Sequence, residues 1–217
     1  MRKFILGILV GALIFSVNRI DASNLLEVVQ FPAKLIINGS PAALDADHPM
    51  LNYNGSAYVP VRIIGEALQS KVKYLDDPER TISINDPRAK LPQNYPEDLA
   101  ILNGDVVYLS MSKAYNEVQI SDFLNNIQKN VGDWIRITRY TFEGDPIIQL
   151  VSYNDGIFRY TLDNSRDKFG ATDIRVMDCS ELNKSNGELL GHKYTELTLK
   201  GCGQNQESTS LYKLFDK

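Results

Sequence analysis

The chain predicts an α+β fold: two small domains, each a mainly antiparallel sheet with one short covering helix. Three observations lead there. Short runs of alternating apolar and polar residues recur, as half-buried strands require. Turn dipeptides such as Asn54-Gly55 and Asp155-Gly156 separate such runs, where hairpins reverse. Apolar residues at helical spacing mark two stretches, 61–68 and 121–131.

The first domain is expected over 27–86, with its pattern clearest in 51–84. Tyr58 and Val59 end a strand that follows Asn54-Gly55. Pro60 suits the first turn of a helix, where its missing N–H is not needed. Val61, Ile64 and Leu68, widened by Ile63 and Ala67, give that helix one apolar face, which must lie on a sheet. Val72 and Tyr74, then Ile82 and Ile84, alternate with polar residues as half-buried strands do. Asp76-Asp77-Pro78 is turn chemistry between the two strands.

These residues carry a resemblance. Tyr53 to Leu68 with the core Val59-Pro60-Val61-Arg62, and the earlier Ile36-Ile37-Asn38-Gly39, resemble the stalk domain named after the N-terminus of copper amine oxidases. The resemblance covers about 28–86. It implies a spacer or attachment module of the kind found in secreted and wall-associated proteins of Gram-positive bacteria. One departure is Gln69-Ser70, where the family usually has Gly-Ala. The family name does not imply copper here. Copper(II) favours imidazole ligands, and the only histidines, His48 and His192, lie in different segments. No metal site and no cofactor is expected.

The first 22 residues read as a signal peptide. Arg2 and Lys3 precede an apolar run over 4–15, and Ala22 offers a cleavage point. The run is shorter than the ~20 residues that span a bilayer, so no membrane span is expected after cleavage. The mature chain would carry 20 basic and 26 acidic side chains. No basic run is dense enough for phosphate contacts, so nucleic acid is not an expected partner. Secretion or attachment to the cell wall follows as the expected location.

Export bears on Cys179 and Cys202, the only two cysteines. In an oxidising compartment an even pair favours a disulfide. Such a bond would stabilise by about 3 kcal/mol on the chain-entropy account. The alternatives are two free thiols or part of a metal site. A metal site needs about four ligands, and no His or Cys neighbours this pair.

From 87 to 102 the composition changes. Pro87, Pro92 and Pro96 sit among polar residues with little periodicity. Proline fixes φ and removes a donor, so a semi-extended linker is expected. The second domain, 103–204, opens with a strand over 105–109. Ser121 is a good N-cap, and Leu124, Ile127 and Val131 mark a helical stripe that Gly132 ends. Strands follow over 134–142, 147–153, 157–162, 174–178 and 194–199. Residues 183–185, Asn186-Gly187 and 201–203 read as turns. Residues 205–217 read as a C-terminal tail.

Glu143-Gly144-Asp145-Pro146-Ile147, Asp163 to Gly170, and the closing Lys200-Gly201-Cys202 resemble a family of unknown function, number 4362. The resemblance spans about 103–204. It implies a small exported domain without known activity, and it supports pairing Cys179 with Cys202.

Two groups of residues are candidates for binding. The acidic loop ends bring Glu143 and Asp145 from one hairpin and Asp163, Arg166 and Asp167 from another, two segments that a three-stranded meander places on one sheet edge. On the strand after the helix, Trp134, Arg136, Thr138 and Tyr140 share one face, and Ile135 and Ile137 the other. The isoleucine face should meet the helix. That Trp-Arg-Thr-Tyr face would then serve as a ligand platform, or Trp134 would close a second small core. No catalytic constellation is present: a triad would have to use His48 or His192, and no G-x-S-x-G elbow occurs. The expected role is therefore non-enzymatic. It is a stalk-like module carrying a binding domain, with cell-wall material or another envelope protein as partner. A hydrolase of wall polymer or peptide acting through Asp/Glu pairs is the alternative.

Overall fold

The computed structural model describes residues 26–76, 79–110 and 113–215. The signal segment and the Asp77-Pro78 half of one expected turn lie outside them. The architecture is mainly antiparallel sheet with few helices, and the chain divides into two compact units.

The smaller unit holds residues 43–60 and the preceding chain up to Leu35. Its sheet pairs strand β1 (Val29–Gln30) with β4 (Leu51–Tyr53), and β4 with β5 (Ser56–Tyr58). Asn54 and Gly55 both have positive φ, as a two-residue hairpin requires. Between them in sequence, β2 (Leu35–Ile37) pairs with β3 (Ser40–Ala42) around Asn38-Gly39, another positive-φ turn.

The larger unit comprises 36–42 and 61–217. Helix α1 (Val61–Ala67) lies against β6 (Lys71–Leu75), which pairs with β7 (Thr81–Asn85). Gly65 is the buried residue of α1, because the Val72 side chain occupies the place of a Cβ. The helix is too short to cover the sheet. Tyr74, Ile82 and Ile84 are exposed, whereas Ser83 and Asn85 on the opposite face are buried. The expected apolar-in pattern therefore holds at Val72 and is reversed along β7. At the end of α1, Gln69 takes φ +60. This is the position where the stalk-domain pattern has glycine, the residue that meets no Cβ penalty there.

Residues 87–102 correct the linker expectation. Helix α2 (Glu97–Leu102) forms there, and Tyr95 and Ala100 are fully buried. Pro96 precedes the helix instead of breaking it, which is where proline is tolerated.

A six-stranded sheet follows, in the order β13-β12-β11-β10-β8-β9. It comprises β8 (Val106–Ser110), β9 (Lys113–Tyr115), β10 (Asp133–Tyr140), β11 (Pro146–Asn154), β12 (Ile157–Asp163) and β13 (Ile174–Cys179). All pairs are antiparallel except β8–β10, whose connection carries helix α3 (Val118–Gln128). That helix starts before the expected Ser121 cap. Its N-cap is Glu117, without a side-chain capping bond. As expected, Ile135 and Ile137 face the helix, sharing a core with Ile120 and Phe123.

A second sheet of β14 (Glu181–Leu189), β15 (His192–Cys202) and β16 (Glu207–Phe215) closes the same core with Leu197, Leu199, Leu211 and Tyr212. Two expectations change here. Residues 183–187 lie in the middle of β14 and are not turns, because each pairs with β15. The tail is largely strand β16, held by seven residue pairs with β15 and by buried Leu211 and Tyr212. A disulfide joins Cys179 at the end of β13 to Cys202 at the end of β15, so it ties the two sheets together.

Candidate functional site

Strand β10 is buried on both faces, and its polar face builds a network. Asp105, with a fully buried side chain, accepts from Arg136 Nε at 2.6 Å, Thr138 Oγ1 at 2.7 Å and Tyr95 Oη at 2.8 Å. Asn103 donates to Tyr95 Oη, and Tyr140 Oη donates to the Tyr95 carbonyl at 2.9 Å. Burial pushes the Asp105 carboxyl up, and the Arg136 guanidinium opposes it. Burial also pushes the Tyr95 and Tyr140 hydroxyls up. These groups are largely held by each other, but Arg136 Nη2 has no partner among the described residues and Tyr140 borders two open pockets. Tyr140 packs beside a small core of Tyr95, Ala100, Val107 and Ile148.

Trp134, at the other end of the same face, has a different setting. Its ring is almost wholly covered, and Nε1 donates to the Gln69 carbonyl at 2.9 Å. Lys71 Nζ lies 5.0 Å from the ring centroid and Arg136 Cζ 5.5 Å, both at cation–π range. Beside it opens a cleft of about 870 Å³, walled by α1–β6, α3 and the start of β10.

The polar groups of the cleft are ordered around Lys71. It pairs with Asp133 Oδ1 at 3.3 Å and donates to Gln119 Oε1 at 3.3 Å, and Asn126 donates to Asp133 Oδ2 at 3.0 Å. Burial lowers the Lys71 ammonium's pKa, and Asp133 opposes that shift. Lys73 also lines the cleft and is half-buried. Burial, then the like charge of Lys71, lower its pKa. Among the described residues Lys73 has no hydrogen bond or ion pair.

The acidic loop ends do converge. Asp145 accepts from the Lys168 backbone N–H at 3.0 Å and from Lys168 Nζ at 3.1 Å, so the 143–145 turn is fastened to the 163–170 loop. These Lys168 bonds hold the Asp145 carboxyl below the ordinary range. Asp163 Oδ2 accepts from Arg166 Nη1 at 2.6 Å, and Arg166 donates onward to the Pro92 and Leu91 carbonyls at 3.0 Å each. Burial works against the Asp163 charge, but Ser165 and Arg166 together outweigh it and keep the carboxyl low. Asp167 accepts from the Phe169 and Gly170 N–H groups. Glu143 stays exposed. The cluster thus spends most of its hydrogen-bonding capacity on the chain itself.

Lys71, Lys73, Gln119 and Asp133 were not legible as site residues. They lie on separate segments, and no spacing rule joins a strand at 71–75 to a helix at 118–128. A hint lay in Lys71 and Lys73 alternating with Val72 and Tyr74, which puts both ammoniums on one strand face.

No curated protein and no solved structure matches the chain. Family models do. The Copper amine oxidase N-terminal domain matches residues 36–118, which contribute α1, β6 and β7. A domain of unknown function, DUF4362, matches residues 103–194, which contribute α3 and β10 to β13. The chain thus matches the Copper amine oxidase N-terminal domain model and then the DUF4362 model, and residues from both matches wall the cleft over Trp134.

Proposed function

We propose that the chain is an exported, non-enzymatic protein of the cell envelope or extracellular space, and that its cleft beside Trp134 binds an acidic group of wall material or of another envelope protein. The observation that carries this reading is the half-buried Lys73 ammonium. It lines an open polar cleft next to Lys71 and makes no hydrogen bond or ion pair among the described residues; the Asp105 charge acts on it only from a distance. A partly desolvated cation gains most from a ligand that restores the lost solvation with an opposite charge.

The test is retention of the purified protein on cell-envelope fractions. Lys73→Met should elute earlier than the wild type, and raising the salt concentration should narrow the difference. Equal retention at low salt would remove the cleft as the binding site. Export is tested separately: mass spectrometry of culture supernatant and envelope fractions should find an N-terminus near Ser23. A full-length cytoplasmic protein would defeat that part.

A further inference from the structure

A second pocket lies between the six-stranded sheet and β16, with a volume of about 340 Å³. Its floor breaks the pattern of its strand. Ile147, Gln149, Val151 and Tyr153 alternate onto one face of β11, and an amide sits where an apolar side chain would pack. Gln149 is 2% exposed. Its Nε2 donates to Tyr160 Oη at 2.9 Å and to the Ser210 carbonyl at 3.5 Å, and the carbonyl, which can only accept, favours this orientation of the amide. Its Oε1 is shut off from solvent and has no partner among the described residues. The side-chain carbonyl of Asn164, which lines the same pocket, is in the same condition.

Two guanidinium groups and one carboxylate, Glu207, also line it, with Thr209 and Ser210. Arg139 and Arg175 both border the pocket. Burial pushes the Tyr160 hydroxyl up, and Gln149 and these two arginines oppose it, so the cations stand close to the pocket floor. Arg175 Nε pairs with Asp173 and leaves the rest of its fork. Ile147, Leu162 and Met177 supply aliphatic wall.

We propose that this pocket binds a small zwitterion, a free amino acid or short peptide, with its ammonium on the Gln149 and Asn164 carbonyls and its carboxylate on Arg139 and Arg175. The two signs decide the class. An inorganic anion suits the arginines but sets oxygen against oxygen at both carbonyls. A neutral sugar offers hydroxyl donors to the carbonyls but no charge to the guanidiniums. A molecule with a donor cation at one end and a carboxylate at the other satisfies both sets. The volume lies near the low end for ligand cavities, roughly 300–1,000 Å³, which suits one or two residues and not a polymer.

Calorimetric titration of the purified chain with the dipeptide Ala-Ala tests this, beside N-acetyl-Ala-Ala and Ala-Ala amide. Saturable binding of Ala-Ala is expected, weakened about tenfold by blocking either end. Arg175→Met, at an exposed position, should weaken it by a similar factor, and Gln149→Leu should abolish it. If Gln149→Leu fails to fold, the Arg175→Met titration and the blocked peptides still decide. Lys73→Met, in the other cleft, should leave this binding unchanged. No saturable binding by Ala-Ala or free alanine, equal binding by the blocked peptides, or an unaffected Arg175→Met would each overturn the proposal.

Discussion

The Arg136 guanidinium meets the Asp105 carboxylate at 2.6 Å with both side chains closed to solvent. Removing one member of such a pair leaves a buried charge uncompensated. Asp105→Asn is expected to cost about 3–5 kcal/mol by urea unfolding. Tyr95→Phe, which removes one donor from the same carboxylate, should cost only about 1 kcal/mol. Equal effects from the two would show that the charge pair is not what anchors β8 to β10.

The loop pair Asp163–Arg166 is also structural. Arg166 is buried and donates to two carbonyls of the 87–102 segment as well. Asp163→Ala is expected to cost about 2–3 kcal/mol, far beyond the roughly ±0.5 of a solvated loop. Denaturant titration followed by circular dichroism would check it.

Acid should weaken the fold through the same carboxylates. Asp145 and Asp163 are held below the ordinary 3.8 in the folded chain. The unfolded chain therefore takes up their protons first as pH falls. The stability they contribute is fully present above the ordinary value and is lost as pH drops through the lower, folded values. Melting temperature against pH should show this fall, and Asp163→Asn should make it shallower.

Gln69 offers a stabilising change. Its φ of +60 costs about 1–2 kcal/mol for a residue with a Cβ. Gln69→Gly relieves that cost but adds about 0.5–1 kcal/mol of unfolded-chain entropy. A net gain of about 0–1.5 kcal/mol is expected, and the Trp134 bond to the backbone carbonyl at 69 survives the change. A lower melting temperature would mean that the Gln69 side chain itself holds the turn.

For the disulfide, Cys179→Ser and Cys202→Ser should each destabilise the larger unit by about 2–5 kcal/mol. The double variant should be no worse than either single, since both remove one bond. A double variant worse than the sum would point to separate packing roles for the two sulfurs.

How much of this was legible follows from which signals are local. The β10–β11–β12 meander was readable because hairpin turns and period-two alternation are set within a dozen residues. The Ile135/Ile137 face was readable for the same reason. Strand β14 was not. Its Asn183 to Gly187 run is turn-like in composition, and only the nine-residue ladder with β15 makes it a strand. Helix α2 was hidden by its prolines, which lie before the helix and not inside it. Both candidate pockets depend on side chains from segments far apart, Lys73 with Gln119 and Gln149 with Arg175, and no local rule joins those. Among the candidate residues, Trp134 alone borders the cleft.

The packed segment before residue 103 has a consequence for anyone who would transplant the second half of this protein. A fragment begun at the DUF4362 boundary would lack Tyr95 and Ala100, and would expose Val107 and Ile148, which pack with them. It would also strip Arg166 of its two carbonyl acceptors at 91 and 92. Such a fragment inherits a sticky sheet surface and a stranded cation. The cut that preserves a self-sufficient piece falls upstream of Leu91, so the unit of inheritance and the unit of folding do not share a border.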